Sequence, residues 1–365
     1  MAETTATTDD SVDQLLIDSA EQMFGQTCTF DAVQAAEDEG WAPEIWQAVA
    51  EAGFAWIGVP VDAGGSGGTL IDACEVLRIA GSRAAPIPLA ETGILGGWLL
   101  ASAGLELPGG AVTIVPGVSG DTLQAAGGDN GSVSLSGRAQ RVPWARQAER
   151  IAALVTVDGE PTVVSVPVGS VRVEPATNVA GEPRDTVTFD GVVAGTDEAG
   201  AASPDVSAES FRLRGALSRA MLMAGAMEAM SALTVTYTAE REQFGRPIAR
   251  FQAVQQHLVW GAQDAVLTKM AAAVAAREAN RDFAGARFEI AAAKTVADES
   301  ASTATRWAHQ AHGAMGMTQE YALHHLSRRL WAWRHEYSTP GEWPAVVGRE
   351  AESAGADGLY PLIAS

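Results

Sequence analysis

The apolar residues of this 365-residue chain change their spacing twice. From about Asp10 to Leu105 they recur at helical intervals, as in Val12, Leu15, Leu16 and Ala20 and again in Ile45, Trp46, Val49 and Ala50. Glycines between Val61 and Thr69, and the prolines Pro86 and Pro88, interrupt that run because a helix cannot pass through them. Between Pro108 and Asp205 the pattern becomes short β-branched runs, starting at Val112, Ser132, Ile151, Thr162, Val171 and Thr186 and separated by Gly, Asp and Pro. From Ser207 to about Trp333 helical spacing returns. Leu213, Leu217, Met221, Ala224 and Met227 mark the buried stripe of one long helix; Val254, His257, Leu258 and Ala262 mark that of the next. The order predicts a mainly α protein with a middle β domain: an N-terminal helical domain over 1–107, a β-barrel-like domain over 108–204, and a helical bundle over 205–365. Helices this long and apolar are expected to pack against other subunits as well.

Charge removes several function classes. A formal net charge of −21 repels phosphate backbones and anionic lipid, so nucleic acid is not an expected partner. The longest apolar stretch, near Gly93 to Leu105, is interrupted by glycines and is shorter than the roughly 20 residues of a membrane span. The opening ten residues carry neither a basic nor an apolar leader pattern and read as a disordered tail. Cys28 and Cys74 are far apart and form no CxxC spacing, which argues against a disulfide framework or thiolate metal site and fits a cytoplasmic protein.

The most informative segment runs from Arg241 to Gln256. Gly245 and Pro247 end one helix, placing Arg241 and Phe244 in its last turn and Gln252 on the next helix. A guanidinium suits a diphosphate, because its fork donates two charge-assisted hydrogen bonds. The same residues also describe a helical hairpin with a solvated arginine and a core phenylalanine. A second segment, His309 to Leu330, holds Gln310, Gly313 and Gly316, whose glycines let backbone approach a nucleotide closely.

These two segments resemble signatures of the acyl-CoA dehydrogenase family: R-x-x-F-G-x-P-I followed by F-Q, and Q-x-x-G-G-x-G followed by T-x-E. Weaker matches at Gly53 to Thr69 and Arg83 to Thr92 extend the resemblance over nearly the whole chain. It implies the family's three-part fold: a helical domain, a β-barrel, then a four-helix bundle. It also implies FAD as cofactor, with Arg241, Phe244, Gln252, Gln310, Gly313 and Gly316 as binding residues that reach the FAD of the neighbouring subunit. By the same resemblance the activity is α,β-dehydrogenation of an acyl-CoA thioester, with electron-transfer flavoprotein as acceptor. One motif departure is Ala314, where the family has its second glycine.

The chemistry needs a carboxylate base opposite the flavin ring, and the family places it at one of two positions. These fall here at about Gly215 and near Thr339, and neither is an acid. Glu336 and Glu342 lie within a short alignment slip of the second, so the catalytic residue is left unknown. The family's isoalloxazine-gripping segments are also replaced: Ala111 to Gly117 stands for one, Arg141 to Gln147 for the other, with Trp144 left as a ring that could stack. Such gaps imply a smaller companion in a heteromeric bacterial enzyme, of the kind that degrades steroid side chains, paired with a paralogous acyl-CoA dehydrogenase subunit in a heterotetramer. A homo-oligomer, or a non-catalytic scaffold subunit that stabilises a partner and its FAD, are the alternatives.

Other constellations carry less. His309, His312, His324 and His325 lack HExxH or cysteine company, so no metal is expected. Ser66 sits in a GxSxG match inside a glycine run without a strand-to-helix elbow, and the glycines there lack the dinucleotide fingerprint.

Overall fold

The computed structural model describes residues 12–337, 339 and 341–364; the ten-residue tail anticipated above lies outside them. Helices α1 (Gln14–Thr27), α2 (Phe30–Glu39), α3 (Pro43–Glu51) and α4 (Leu70–Ser82) open the fold. A wide helical turn over Ala90–Gly97, with i→i+5 hydrogen bonding, runs into α5 (Trp98–Ser102). Thr69 and Asp72 cap α4 reciprocally: the Thr69 hydroxyl accepts from the Asp72 amide at 3.2 Å, and the Asp72 carboxylate accepts from the Thr69 amide at 2.8 Å. Of the residues whose spacing marked this helix, Ala20 is buried but Leu15 is 78% exposed, and Phe24 joins Ala20 on the buried face of α1.

The middle region forms β1 (Val112–Ile114), β2 (Gln124–Gly127), β3 (Val133–Pro143), β4 (Arg150–Val157), β5 (Glu160–Pro167), β6 (Arg172–Glu174), β7 (Arg184–Ala194) and β8 (Ala199–Ala201). All six β-branched runs become strands; β2 and β8, poor in β-branched residues, escaped notice. The barrel expectation is wrong. Two open four-stranded sheets form, ordered β1-β4-β5-β8 and β2-β3-β7-β6. Closure fails for local reasons: the edge strands are three or four residues long, and β1 joins β4 in parallel. The Thr92 hydroxyl also occupies the free edge of β1, donating to the Val112 carbonyl at 3.0 Å and accepting from its amide at 3.2 Å. Val133, Leu135, Ile151, Ala153, Val164, Val166, Val187 and Phe189 share one core between the sheets, while Ala152 and Val163, of opposite pleat, join the helical core.

The third region contains α6 (Ala208–Glu240), a hairpin of β9 (Glu242–Gln243) and β10 (Arg246–Pro247), then α7 (Gln252–Arg281), α8 (Arg287–His312), α9 (Leu323–Trp333) and α10 (Glu342–Ala364), which kinks at Gly355. The whole predicted stripe of α6 is buried. Gly81 of α4 and Gly225 of α6 allow backbone-to-backbone packing: a β-carbon on Gly225 would lie 1.8 Å from the Arg78 carbonyl oxygen. One apolar core therefore joins the first and third regions. On α7 the predicted stripe is only half-buried, and Val259, Val266, Leu267 and Met270 are each more than half exposed. No helix among the described residues is long and apolar enough to cross a membrane.

Candidate functional site

Two places matter: the corner where α6, α7 and α8 end or begin, and the junction of the three regions. At the corner α6 stops earlier than anticipated. Arg241 is its C-cap, in extended conformation (φ −71°, ψ 116°), and Phe244 lies beyond the helix at the tip of the β9–β10 hairpin. Phe244 (φ 54°) and Gly245 (φ 77°) both take left-handed backbone, the pattern of a two-residue hairpin turn, so Gly245 serves this turn rather than a helix C′ position. Phe244 is 92% exposed and meets the edge of Phe251 with ring centres 6.0 Å apart. Gln252 begins α7, where free amides favour an anion.

Tyr237, one turn before Arg241, ties this corner to the end of α8. Its backbone oxygen accepts from the Arg241 amide at 2.9 Å, its hydroxyl donates to the His312 carbonyl at 3.3 Å, and its ring stacks on the His312 imidazole at 4.4 Å. Burial pushes the His312 pKa down, against a hydrogen bond to the Ala308 carbonyl. The His257 ring stacks on Trp307 at 5.2 Å, packing the first part of α7 against the last part of α8. Gly313 follows at φ 59°, ψ −136°, backbone reserved for glycine, with open space where a β-carbon would stand. Gly316 is buried under His312 and Leu323. Arg241, Phe244, Gln252, Gln310, Gly313 and Ala314 are all exposed. Among the described residues no carboxylate pairs with the Arg241 guanidinium.

At the junction the structure assembles charges that sequence reasoning missed. Glu336 accepts at 2.7 Å from Arg184 and, through its other oxygen, at 2.5 Å from Arg219. Arg219 also pairs with Glu91, and Arg184 lies 3.1 Å from Glu182. Glu182 accepts from the Trp333 indole at 3.1 Å and lies 3.5 Å from Arg329. Three carboxylates thus face three guanidiniums at a largely buried junction, a balance that buried charge requires. Burial alone would raise the Glu336 pKa, but Arg184 and Arg219 outweigh it and bring it down to about 2. A signal did exist: Glu91 and Arg219 interrupt otherwise apolar stretches, which is rare unless the charge is paired.

Tyr337 follows in left-handed backbone (φ 60°), with its ring against Gly215. Gly215, one of the two positions anticipated for a base, therefore lies under an aromatic ring. Glu336 reaches the junction as an ion-paired carboxylate. Glu342, at the start of α10, stays half-exposed near Arg212, 3.7 Å away. Trp144 is buried and lines, with Glu91, Glu182, Arg184, Arg219 and Trp333, a cavity of about 20 Å³, room for about one water.

Comparison with known proteins agrees with this layout. Residues 11–106 match the model of the acyl-CoA dehydrogenase N-terminal domain, and residues 208–334 that of the acyl-CoA dehydrogenase C-terminal domain. Acyl-CoA dehydrogenase FadE28 of Mycobacterium tuberculosis is 30% identical over 296 residues, covering 76% of this chain and 84% of that protein. The chain belongs to the acyl-CoA dehydrogenase family. Acyl-CoA dehydrogenase IpdE2 of the same organism is 27% identical over 350 residues, 93% of this chain and 96% of its own length. A chain of the ChsE4–ChsE5 complex from M. tuberculosis has the same fold, with a TM-score of 0.86 and 22% identity over 95% of this chain and 100% of that one.

For a family member, the corner fits the diphosphate part of FAD: it offers a free guanidinium, a helix N-terminus and a glycine with open space before it. The junction does not fit the flavin ring, which is many times larger than a single water. Among the histidines, Glu37, His324 and His325 come within ligand distance of one another, but Glu37 already engages His325 at 2.8 Å and Arg328, with Arg329 at 3.7 Å. Those guanidiniums supply the positive charge a metal would bring. Ser66 donates to the Gly53 carbonyl at 2.7 Å in an exposed loop.

Proposed function

We propose that this chain is the companion subunit of a heteromeric, FAD-dependent acyl-CoA dehydrogenase, in which it holds the ADP part of FAD bound to a paralogous partner. The observation that carries this reading is the Arg241 guanidinium, exposed and, among the described residues, without a carboxylate partner in a protein of net charge −21. Exposed cations at this corner, Arg241 with Arg246 and Arg250, on an otherwise acidic chain suit an anion delivered from outside it. In this reading Gln252, Gln310, Gly313, Gly316 and Phe244 complete the site around the same nucleotide. The exposed apolar face of α7 supports burial against another chain.

Within that complex the partner supplies the ring site and the base for α,β-dehydrogenation of an acyl-CoA thioester, and electron-transfer flavoprotein takes the electrons. Steroid side-chain thioesters are one substrate class among branched and aromatic ones. A second reading, a subunit that only assembles and retains cofactor, is favoured by the ion-paired state of Glu336. Co-expression with a paralogous partner tests the proposal. Stable co-purification with one FAD per pair and turnover of an acyl-CoA supports it; a homotetramer of this chain alone with one FAD per chain, active on acyl-CoA, refutes it.

A further inference from the structure

We propose that the Glu336–Tyr337 turn is a built-in plug: it fills this chain's own flavin-ring position and bolts the three regions together without a cofactor. This rests on the companion reading but concerns a different place in the molecule. The turn follows α9 and enters the junction with Tyr337 in left-handed backbone, a conformation a bulky residue adopts only when its surroundings hold it there. The side chain of Tyr337 lies on Gly215, where any β-carbon would overlap its ring. Burial raises the phenol pKa, so the ring sits there neutral. Beside it, Glu336 draws together Arg184 of β7 and Arg219 of α6, and Arg219 pulls in Glu91 from the wide turn before α5. One carboxylate thus connects the β-sheets to both helical regions.

The wide turn has its own part in this. Eight consecutive residues, Ala90–Gly97, are buried, and their looser winding sets Glu91 toward Arg219 while Thr92 seals the edge of β1. Without Glu336, Arg184 and Arg219 would keep Glu182 and Glu91 but lose the carboxylate that joins them, and a flavin ring would have to displace both Tyr337 and Glu336. The chain therefore folds fully without flavin, and Glu336 acts as a clamp and not as a base.

The test uses the full-length chain without its partner. FMN carries the isoalloxazine ring without the ADP that the Arg241 corner would hold. Titration with FMN should give no binding, and saturating FMN should leave the thermal midpoint unmoved. Glu336→Gln should lower that midpoint by several degrees and alter the near-ultraviolet circular dichroism of the buried tryptophans. Stoichiometric FMN binding by the wild-type chain, or a Glu336→Gln protein that melts like wild type, would overturn the plug. Loss of FAD from the partnered complex on Arg241→Ala reports separately on the companion reading. A complex that keeps its FAD sinks that reading and leaves the plug standing, whereas a lone chain that binds FMN does the reverse.

Discussion

The ring of Tyr337 lies against the α-carbon of Gly215 so closely that a β-carbon there would stand 2.1 Å from Tyr337 Cδ1. Gly215→Ala must therefore displace the ring or bend α6, at about 1–3 kcal/mol as for other overpacked cores. In a Tyr337→Ala background the same substitution should cost much less. A double-mutant cycle by urea denaturation measures the coupling; additive effects would mean that the two residues do not share this space.

Removing the Glu336 carboxylate leaves Arg184 and Arg219 facing each other without their shared partner. Glu336→Ala should destabilise by about 3–5 kcal/mol, the range for breaking a buried ion pair. The midpoint of thermal unfolding is the measurement, and a change within about 1 °C would argue that the network contributes nothing net.

Acid should act in two stages. The His309, His312, His324 and His335 pKa values are pushed down by burial. Their unfolded forms then take up protons first, and stability falls as pH drops below about 6.5. Glu336 and Glu37 are held near 2 by their guanidinium and imidazole partners, against the effect of burial. Their contribution is complete above an unfolded value of about 4.3 and is lost as pH falls from there toward 2. Denaturation midpoints measured from pH 7.5 to 3 should show both declines, with the lower one reduced in Glu336→Gln.

Gly313→Ala should cost about 1–3 kcal/mol, because φ 59° with ψ −136° is closed to residues with a β-carbon even though the space around it is open. The penalty is one of backbone strain, so Gly313→Asn should recover little of it. Equal stability of wild type and Gly313→Ala, by denaturant titration, would show that the turn relaxes freely.

How much of this was legible beforehand depended on whether a residue's neighbours are close in sequence. The β-branched run from Ile151 and the stripe from Leu213 to Met227 are local, and they appear as a strand and a buried helix face. The Arg241 and Gln310 segments were visible because each is a contiguous motif. The closed barrel was misjudged because closure turns on edges: Thr92, twenty residues upstream, covers β1. Glu336 looked like a possible base because its partners, Arg184 and Arg219, lie 152 and 117 residues away, and no spacing rule connects them. The early end of α6 was missed for a different reason. Gly245 suits a helix C′ and a tight hairpin equally well, and only the pairing of Gln243 with Arg246 decides between them.

The binding of FAD by the partnered complex, with Arg241→Ala introduced in this chain alone, tests the central claim most directly. Loss of charge-assisted hydrogen bonds worth about 1.5–3 kcal/mol each should weaken FAD by at least about tenfold while the lone chain's melting temperature stays put. FAD held as tightly as in the wild-type complex would contradict the account.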